Sequence, residues 1–497
     1  MKKLMAFILS LGLISSLSSV GLNAAYNYSP LGDVIASAEA LIAARVVDSS
    51  NLTDVNGQDV NLTLGTLVDV CSFENRVYLV DNSSSAVHVL DSQYRYLRSF
   101  GTEDGAGKLS KPSGIFVTSE YVYVADTENF RIAIYDHDYV YVKEINTPKD
   151  PTFKQTPDDP EGYDFKPLKV AVDRTGRVYA IADQIFEGII DFHPSGSFSR
   201  YVGANTVTLS VWDAFWLKFT SEEQRQAQGY RLATTFLNLN IDSKGYLYTL
   251  SDVSEGSKVI KKLNFKGIDI LSRNGYVPQI GDVMTIGDSD DSVPTGPSRL
   301  IDIDLNENGT YCVLDGVRGR IFTYDFEGNL LYIGGQIGNV GGAVNNQSTL
   351  FLSPEALCYD HDRILVVDSL NKNLVIFEYT EFAALVNEAT RLYQQGDYQA
   401  AGAVWEQVLV LNTNYYLAYA GIGKAQLRDG DYRSALVNLK LGYDEYHYSQ
   451  AYQQYRYDQL TVIFPYVLGA VIVGVVYLFI KSIRKSVATA KKEEKDE

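Results

Sequence analysis

The stretch KPSGIFVTSEYVYVADTENFRIAIYDHDY, Lys111 to Tyr139, decides the fold. IFV, VYVAD and RIAIYD each alternate or run apolar over strand length, and DTEN between the last two is a tight turn. VYVKEI, from Val140 to Ile145, supplies a fourth strand. Upstream the unit recurs as LVDVCSFENRVYLVDNSSSAVHVLDSQYRYLRSF, Leu67 to Phe100. Downstream it recurs around VAVDRTGRVYAIAD, LNIDSKGYLYTLSD, IDLNENGTYCVLDG and EALCYDHDRILVVD. Second strands end at residues 81, 126, 182, 251, 315 and 368, with gaps of 45 to 69 residues. Six four-stranded units predict a six-bladed β-propeller with long connections between blades. A ring of this kind closes by borrowing a strand from one terminus, and residues 26–65 are available for it.

Composition agrees with a folded, mainly β protein. Of 497 residues, 46% are hydrophobic and 21% charged, which excludes wholesale disorder, and tyrosine is frequent at 36. The formal charge of -18 argues against a nucleic-acid binder. Three cysteines, Cys71, Cys312 and Cys358, make no disulfide framework and no zinc motif. Cys71 and Cys358 fall at equivalent places in the first and last units, where neighbouring inner strands stand too far apart for a bridge, so free thiols are expected.

PSGIFV followed by VYVADTENFRI resembles an NHL repeat, whose pattern is P-x-G-I and then Y-V-A-D-T-x-N-x-R-I. The likeness is fullest in the second unit, looser in the first, fifth and sixth, and faint in the third and fourth. It implies a structural role for Asp126, Asn129 and Arg131, satisfying backbone groups between strands.

After the propeller the apolar period changes from two to about 3.6 residues. EFAALVNEATRLYQQGDYQAAGAVWEQVLVLNTN reads as a helix pair, and YLAYAGIGKAQLRDGDYRSALVNLKLGYDEYH repeats it. Gly396-Asp397-Tyr398 and Gly430-Asp431-Tyr432 lie 34 residues apart, as do Ala401 and Ala435. That period and motif resemble tetratricopeptide (TPR) repeats, with the alanines allowing close helix crossing and Trp405 filling the next layer.

The ends of the chain set its compartment. MKKLMAFILSLGLISSLSSVGLNAA has a basic start, a short apolar run and small residues at Ala24 and Ala25, the form of a secretory signal peptide over 1–25. VIFPYVLGAVIVGVVYLFI, Val462 to Ile480, is uncharged and long enough to span a bilayer, with Tyr466 and Tyr477 near its two ends. Lys481, Arg484 and Lys485 follow, which places the 481–497 tail in the cytoplasm by the positive-inside rule. The leader and the tail each carry +2, so the part between them carries -22. The expected order is signal peptide 1–25, six-bladed NHL-like propeller 26–379, TPR-like helical domain 380–460, transmembrane helix 461–480 and basic tail 481–497. The topology is type I and single-pass, with propeller and helical pair extracellular. The arrangement resembles a family of membrane proteins of Gram-positive bacteria often associated with sugar ABC transporters, which implies a role in carbohydrate handling at the cell surface.

Few residues suggest chemistry. The histidines His88, His137, His193, His361 and His447 form no paired motif, and no GxSxG elbow occurs. No motif calls for a cofactor or a metal. The acidic loop Gly287 to Ser292, with Asp288, Asp290 and Asp291, offers calcium-type ligands without the EF-hand spacing. Aligned inner strands put Asp69, Gly114, Lys169, Asn238, Asp302 and Ala356 at one place around the axis. Asp69, Lys169, Asn238 and Asp302 are therefore the candidate ligand-binding set at the channel mouth. Gluconolactonase-type propellers hold a divalent metal there with Glu, Asn and Asp; Asn238 and the aspartates are compatible, whereas Lys169 opposes a cation. Trp212, Phe215, Trp216 and Phe219 share one helical face and are a candidate partner-binding patch. The reading is a membrane-anchored binding or scaffold protein, with the propeller taking an extracellular ligand or transporter component and the helical pair a protein partner. A lactonase- or lyase-like enzyme using the channel is the alternative.

Overall fold

The computed structural model describes residues 25–150, 164–203, 235–252, 258–282, 297–337 and 350–496. Contacts divide the chain into two compact units, with the boundary between Ala384 and Leu385.

The first unit is a six-bladed β-propeller. Blade one is Leu67–Phe73, Arg76–Asp81, Ala86–Asp91 and Tyr96–Phe100; blade two is Pro112–Val117, Val122–Asp126, Arg131–Tyr135 and Tyr141–Asn146. Blade three is Pro167–Val172, Val178–Ala182, Ile189–Phe192 and Phe198–Val202, and blade five is Leu300–Leu305, Tyr311–Asp315, Ile321–Tyr324 and Leu330–Gly334. Blade four shows three strands among the described residues, Thr235–Ile241, Leu247–Asp252 and Ile260–Leu263. Blade six is Pro354–Asp360, Arg363–Asp368 and Asn373–Tyr379, completed by Leu41–Val47 from the start of the chain. That strand runs antiparallel to Asn373–Tyr379, with Val47 opposite Leu374 and Leu41 opposite Tyr379. It closes the ring and covers the open edge of the last sheet. Each inner strand meets the next around the axis, and the sixth meets the first.

Middle strands are buried on both faces, as in VYLVD of blade one and VYVAD of blade two. Their side chains fill the seams between blades: Tyr78, Val80, Val122, Val124 and Tyr135 pack between blades one and two. In blades one, two, five and six a fully buried aspartate ends the second strand and accepts a backbone N–H from the segment leading into the inner strand. Asp81 takes Gly65 at 2.8 Å, Asp126 takes Ser110 at 2.7 Å, Asp315 takes Arg299 at 3.0 Å and Asp368 takes Leu352 at 2.6 Å. Asp126 also accepts from Asn129 and from Arg131, both at 2.8 Å, which is the structural role expected of those three residues. Blades three and four carry Ala182 and Ser251 at this place, so the units with the faintest sequence likeness lack the clamp.

A hairpin, Tyr26–Tyr28 paired with Val34–Ala36, precedes the closing strand. Tyr26 and Tyr28 donate their hydroxyls to the buried Asp282 carboxylate at 2.7 and 2.5 Å, and Arg318 pairs with the same group at 3.2 Å.

The second unit is helical. Five helices follow the propeller: α1 (Glu381–Gln394), α2 (Tyr398–Leu411), α3 (Tyr416–Asp429), α4 (Tyr432–Leu441) and α5 (Glu445–Asp496). The repeated Gly-Asp-Tyr is a stop-and-start signal. Gly396 and Gly430 take positive φ of 84° and 82°, a conformation glycine adopts without strain. Asp397 and Asp431 then cap α2 and α4 by accepting from Ala400 N and Ser434 N. Ala401 and Ala435 are buried, and Trp405 lies against Gly421, where any Cβ would come within 2.3 Å of the indole. Ala451 of α5 packs on Ala435 and Leu439 of α4. Further along, α5 contains the stretch Val462–Ile480, whose side chains are exposed, and it is one helix long and apolar enough to cross a membrane.

The closing strand is the element whose loss should cost most. Val47→Asp would bury an unpaired carboxylate opposite Leu374 and is expected to cost about 3–5 kcal/mol. Ile42→Asp on the same strand replaces a side chain that is 51% exposed and should leave stability nearly unchanged. Urea unfolding followed by circular dichroism checks both.

Candidate functional site

The six inner strands share one irregularity. In every blade the pairing with the second strand slips by one residue just before the aligned position, between Leu67 and Asp69, Pro112 and Gly114, Pro167 and Lys169, Phe236 and Asn238, Leu300 and Asp302, and Pro354 and Ala356. A bulge re-aims the side chain that follows it. The six residues aligned from sequence therefore occupy one structural position around the ring.

The structure brings the four polar ones into two linked pairs. Lys169 of blade three reaches across blade two to Asp69 of blade one, with Nζ to Oδ1 at 2.6 Å. Gly114 of the intervening blade lets the inner strands of blades two and three approach closely, since a Cβ there would meet the Leu168 carbonyl oxygen at 2.5 Å. The other oxygen of Asp69 accepts from Ile115 N at 2.8 Å. Across the ring the Asn238 amide donates to Asp302, whose second oxygen accepts from Leu357 N at 2.6 Å. Asp69, Asn238 and Asp302 are buried, and the Lys169 side chain is the most exposed of the set at 16%.

A second layer lies two residues further along the same strands. Asn240 Nδ2 donates to Asp304 at 2.6 Å, and Asp304 accepts from Tyr359 N at 2.6 Å. Blades four, five and six are thus tied by two parallel relays, Asn238–Asp302–Leu357 and Asn240–Asp304–Tyr359. Sequence reasoning missed this layer, although its signal was there: LNLNI and LIDIDL repeat the polar residue at the strand period of two.

Burial dominates the electrostatics. It pushes the Asp302 carboxyl well above its ordinary range, with Lys169 opposing the rise and Asp69 adding to it. Asp304 is pushed up to about 6 by burial, against the backbone amides that hydrogen-bond it. Burial also works against the Lys169 ammonium, but Asp69 and Asp302 more than offset it and its pKa is raised. The cysteines are free, Cys312 and Cys358 buried and Cys71 half-buried. Burial raises the Cys71 thiol to about 12 and the other two well above the ordinary value, which makes all three poor nucleophiles.

The other candidates separate. His88 lies on the third strand of blade one, between Ser99 Oγ at 2.7 Å and Asp81 at 3.4 Å. The aromatic set Trp212, Phe215, Trp216 and Phe219 and the acidic loop with Asp288, Asp290 and Asp291 lie outside the described residues, as does the signal segment. Among the described residues no group of three or more His, Cys, Asp or Glu side chains is placed to hold a metal ion. The axial set consists of hydrogen-bond donors and acceptors, and its one amine, Lys169, is held in the charged form by Asp69 and Asp302.

No family model matches the chain, and no curated protein matches it. Among solved structures it is similar to two auxiliary nutrient binding proteins. One is from Bacteroides ovatus, with 14% identity over 69% of this chain and 78% of that one and a TM-score of 0.42. The other is from Bacteroides thetaiotaomicron, with 14% identity over 70% and 78% and a TM-score of 0.40. It is also similar to virginiamycin B lyase from Staphylococcus aureus, at 10% identity over 72% and 96% with a TM-score of 0.38.

A carboxyl held above its ordinary 3.8 in the folded chain keeps a proton that the unfolded chain has released, so stability falls as pH rises from about 4 through about 6. Asp304 and Asp325, each pushed up to about 6, act in this same direction. Asp304→Asn should flatten the fall, read as urea midpoints at pH 4.5, 6 and 7.5; a variant as steep as the parent would contradict the burial of this carboxyl.

Proposed function

We propose that the chain is a cell-surface, membrane-anchored binding and scaffold protein. In this reading the NHL-like propeller over 26–379 engages an extracellular ligand or transporter component at its axis, and the TPR-like pair over 380–460 docks a protein partner. The helix over 461–480 is the anchor, and the 481–497 tail is cytoplasmic. A leader-like start and the cations Lys481, Arg484 and Lys485 directly after the apolar stretch support this orientation. A soluble outer part carrying -22 suits a protein that must stay dispersed at a surface.

One observation carries the binding role. Lys169 is the most exposed member of the axial set and sits among Asp69, Asp302 and Glu355, which act on its charge. An ammonium that reaches across a whole blade to its partner is the member best able to exchange that contact for a ligand carboxylate or hydroxyl. Asp69, Asn238 and Asp302 then form the fixed wall, each held by a neighbouring backbone. The resemblance to proteins associated with sugar ABC transporters makes carbohydrate uptake the setting to test first.

The test uses full-length protein purified from native membranes. Lys169→Met combined with Asp69→Asn removes the exchangeable pair without leaving a lone buried charge. Co-purification of transporter subunits is expected to fall at least tenfold, with the melting temperature little changed. Equal recovery by parent and variant would overturn the axial site. A stoichiometric metal together with lactone hydrolysis that Asn238→Ala abolishes would replace the binding reading with the enzyme.

A further inference from the structure

A polar cleft of about 520 Å³ lies on the outer part of blade two, away from the axial set. Its walls come from three places in the sequence: the connection into the blade (Gly105, Ala106, Lys108, Ser110), the turn residue Asn129 with Arg131, and Glu144 and Asn146 on the outer strand. Gly105 and Ala106 are exposed and leave that side of the cleft free of bulk.

The charges lining it are already matched. Arg131 bonds Asp126 at 2.8 Å and Glu144 at 2.6 Å and donates to the Lys108 carbonyl at 2.8 Å. Glu144 in turn accepts from Tyr141 at 2.9 Å and from Asn146 at 2.7 Å. Lys108 pairs with Asp104 at 2.6 Å. A charged ligand would therefore compete with pairs already made, tightly at Arg131 and Glu144 and weakly at the exposed Lys108–Asp104 pair.

What is left over is neutral. The Asn129 amide nitrogen is committed to Lys108 O and Asp126, and that of Asn146 to Glu144. These bonds commit both amide nitrogens and leave the carbonyl oxygens of Asn129 and Asn146, with the Ser110 hydroxyl, as spare polar groups on residues that line the cleft. Spare amide acceptors and a hydroxyl lining one cleft suit a ligand rich in O–H donors. The cavity is of the size that takes a small-molecule ligand. We infer that this cleft is a second binding site, independent of the axial one, for a neutral polyhydroxylated ligand of the saccharide class.

Full-length protein in lipid nanodiscs, free of sugar-based detergent, is titrated calorimetrically with maltotriose, cellotriose and chitotriose as neutral probes and trigalacturonate as the charged one. At least one neutral probe should bind saturably with Kd below about 1 mM. Asn129→Ala with Asn146→Ala should weaken it at least tenfold, and Ala106→Trp, on an exposed position, should block it by filling the cleft. The Lys169→Met/Asp69→Asn protein should retain it, which separates this site from the axial one. The inference is overturned if no neutral probe binds, if trigalacturonate binds instead, or if binding survives Ala106→Trp.

Discussion

Everything in the first unit depends on a strand borrowed from the start of the chain. A propeller blade is a sheet with an outer edge, and its ring is stable only when the last blade is completed. Here Leu41–Val47 completes the sixth sheet against Asn373–Tyr379, joining residues more than three hundred positions apart. The closure entropy of so long a loop is offset by a paired strand with buried Leu41, Val46 and Val47 beneath it. The preceding hairpin adds a second hold, since Asp282 gathers Tyr26, Tyr28 and Arg318 into one buried cluster. The segment that would directly follow a cleaved leader is thus the segment that locks the ring.

Within the closed ring, neighbouring inner strands belong to different sheets, and side chains supply the ties between them. Asp69 reaches Ile115, Asp302 reaches Leu357 and Asp304 reaches Tyr359, each a carboxylate accepting a backbone N–H of the next blade. Hydrogen bonds of this kind contribute about 0.5–1.5 kcal/mol each, and their loss would leave buried groups unsatisfied. In the proposed function the same groups serve recognition, which would put stability and binding in one set of atoms. Lys169 differs from the rest because its partner is a side chain two blades away.

How much of this was legible in the sequence follows from the physics of each feature. Strand number, strand ends and the closing segment could be read because period-two patterning and Asp-rich turns are local signals. VYVADTENFRI carries the buried strand, the clamp Asp126 and its partners within eleven residues. The helical repeat was equally plain, since Gly396-Asp397 and Gly430-Asp431 each encode a helix end and a cap. The axial register was legible once six units were aligned, because the bulge falls at the same place in each. The pairing inside the ring was not, because Lys169 meets Asp69 a hundred residues away and across a whole blade. The blade-two cleft was invisible for the same reason, being assembled from a connection, a turn and an outer strand.

Among the described residues, α5 is the one helix long and apolar enough to cross a membrane, and the proposed function sets the propeller outside that membrane with the basic tail on the other side. Protease shaving of intact cells, followed by mass spectrometry of released and retained peptides, tests that placement most directly. The account predicts that peptides from the propeller and the helical repeat are released while those after Lys481 stay protected until the cells are opened. Protection of the propeller with release of the tail would contradict it.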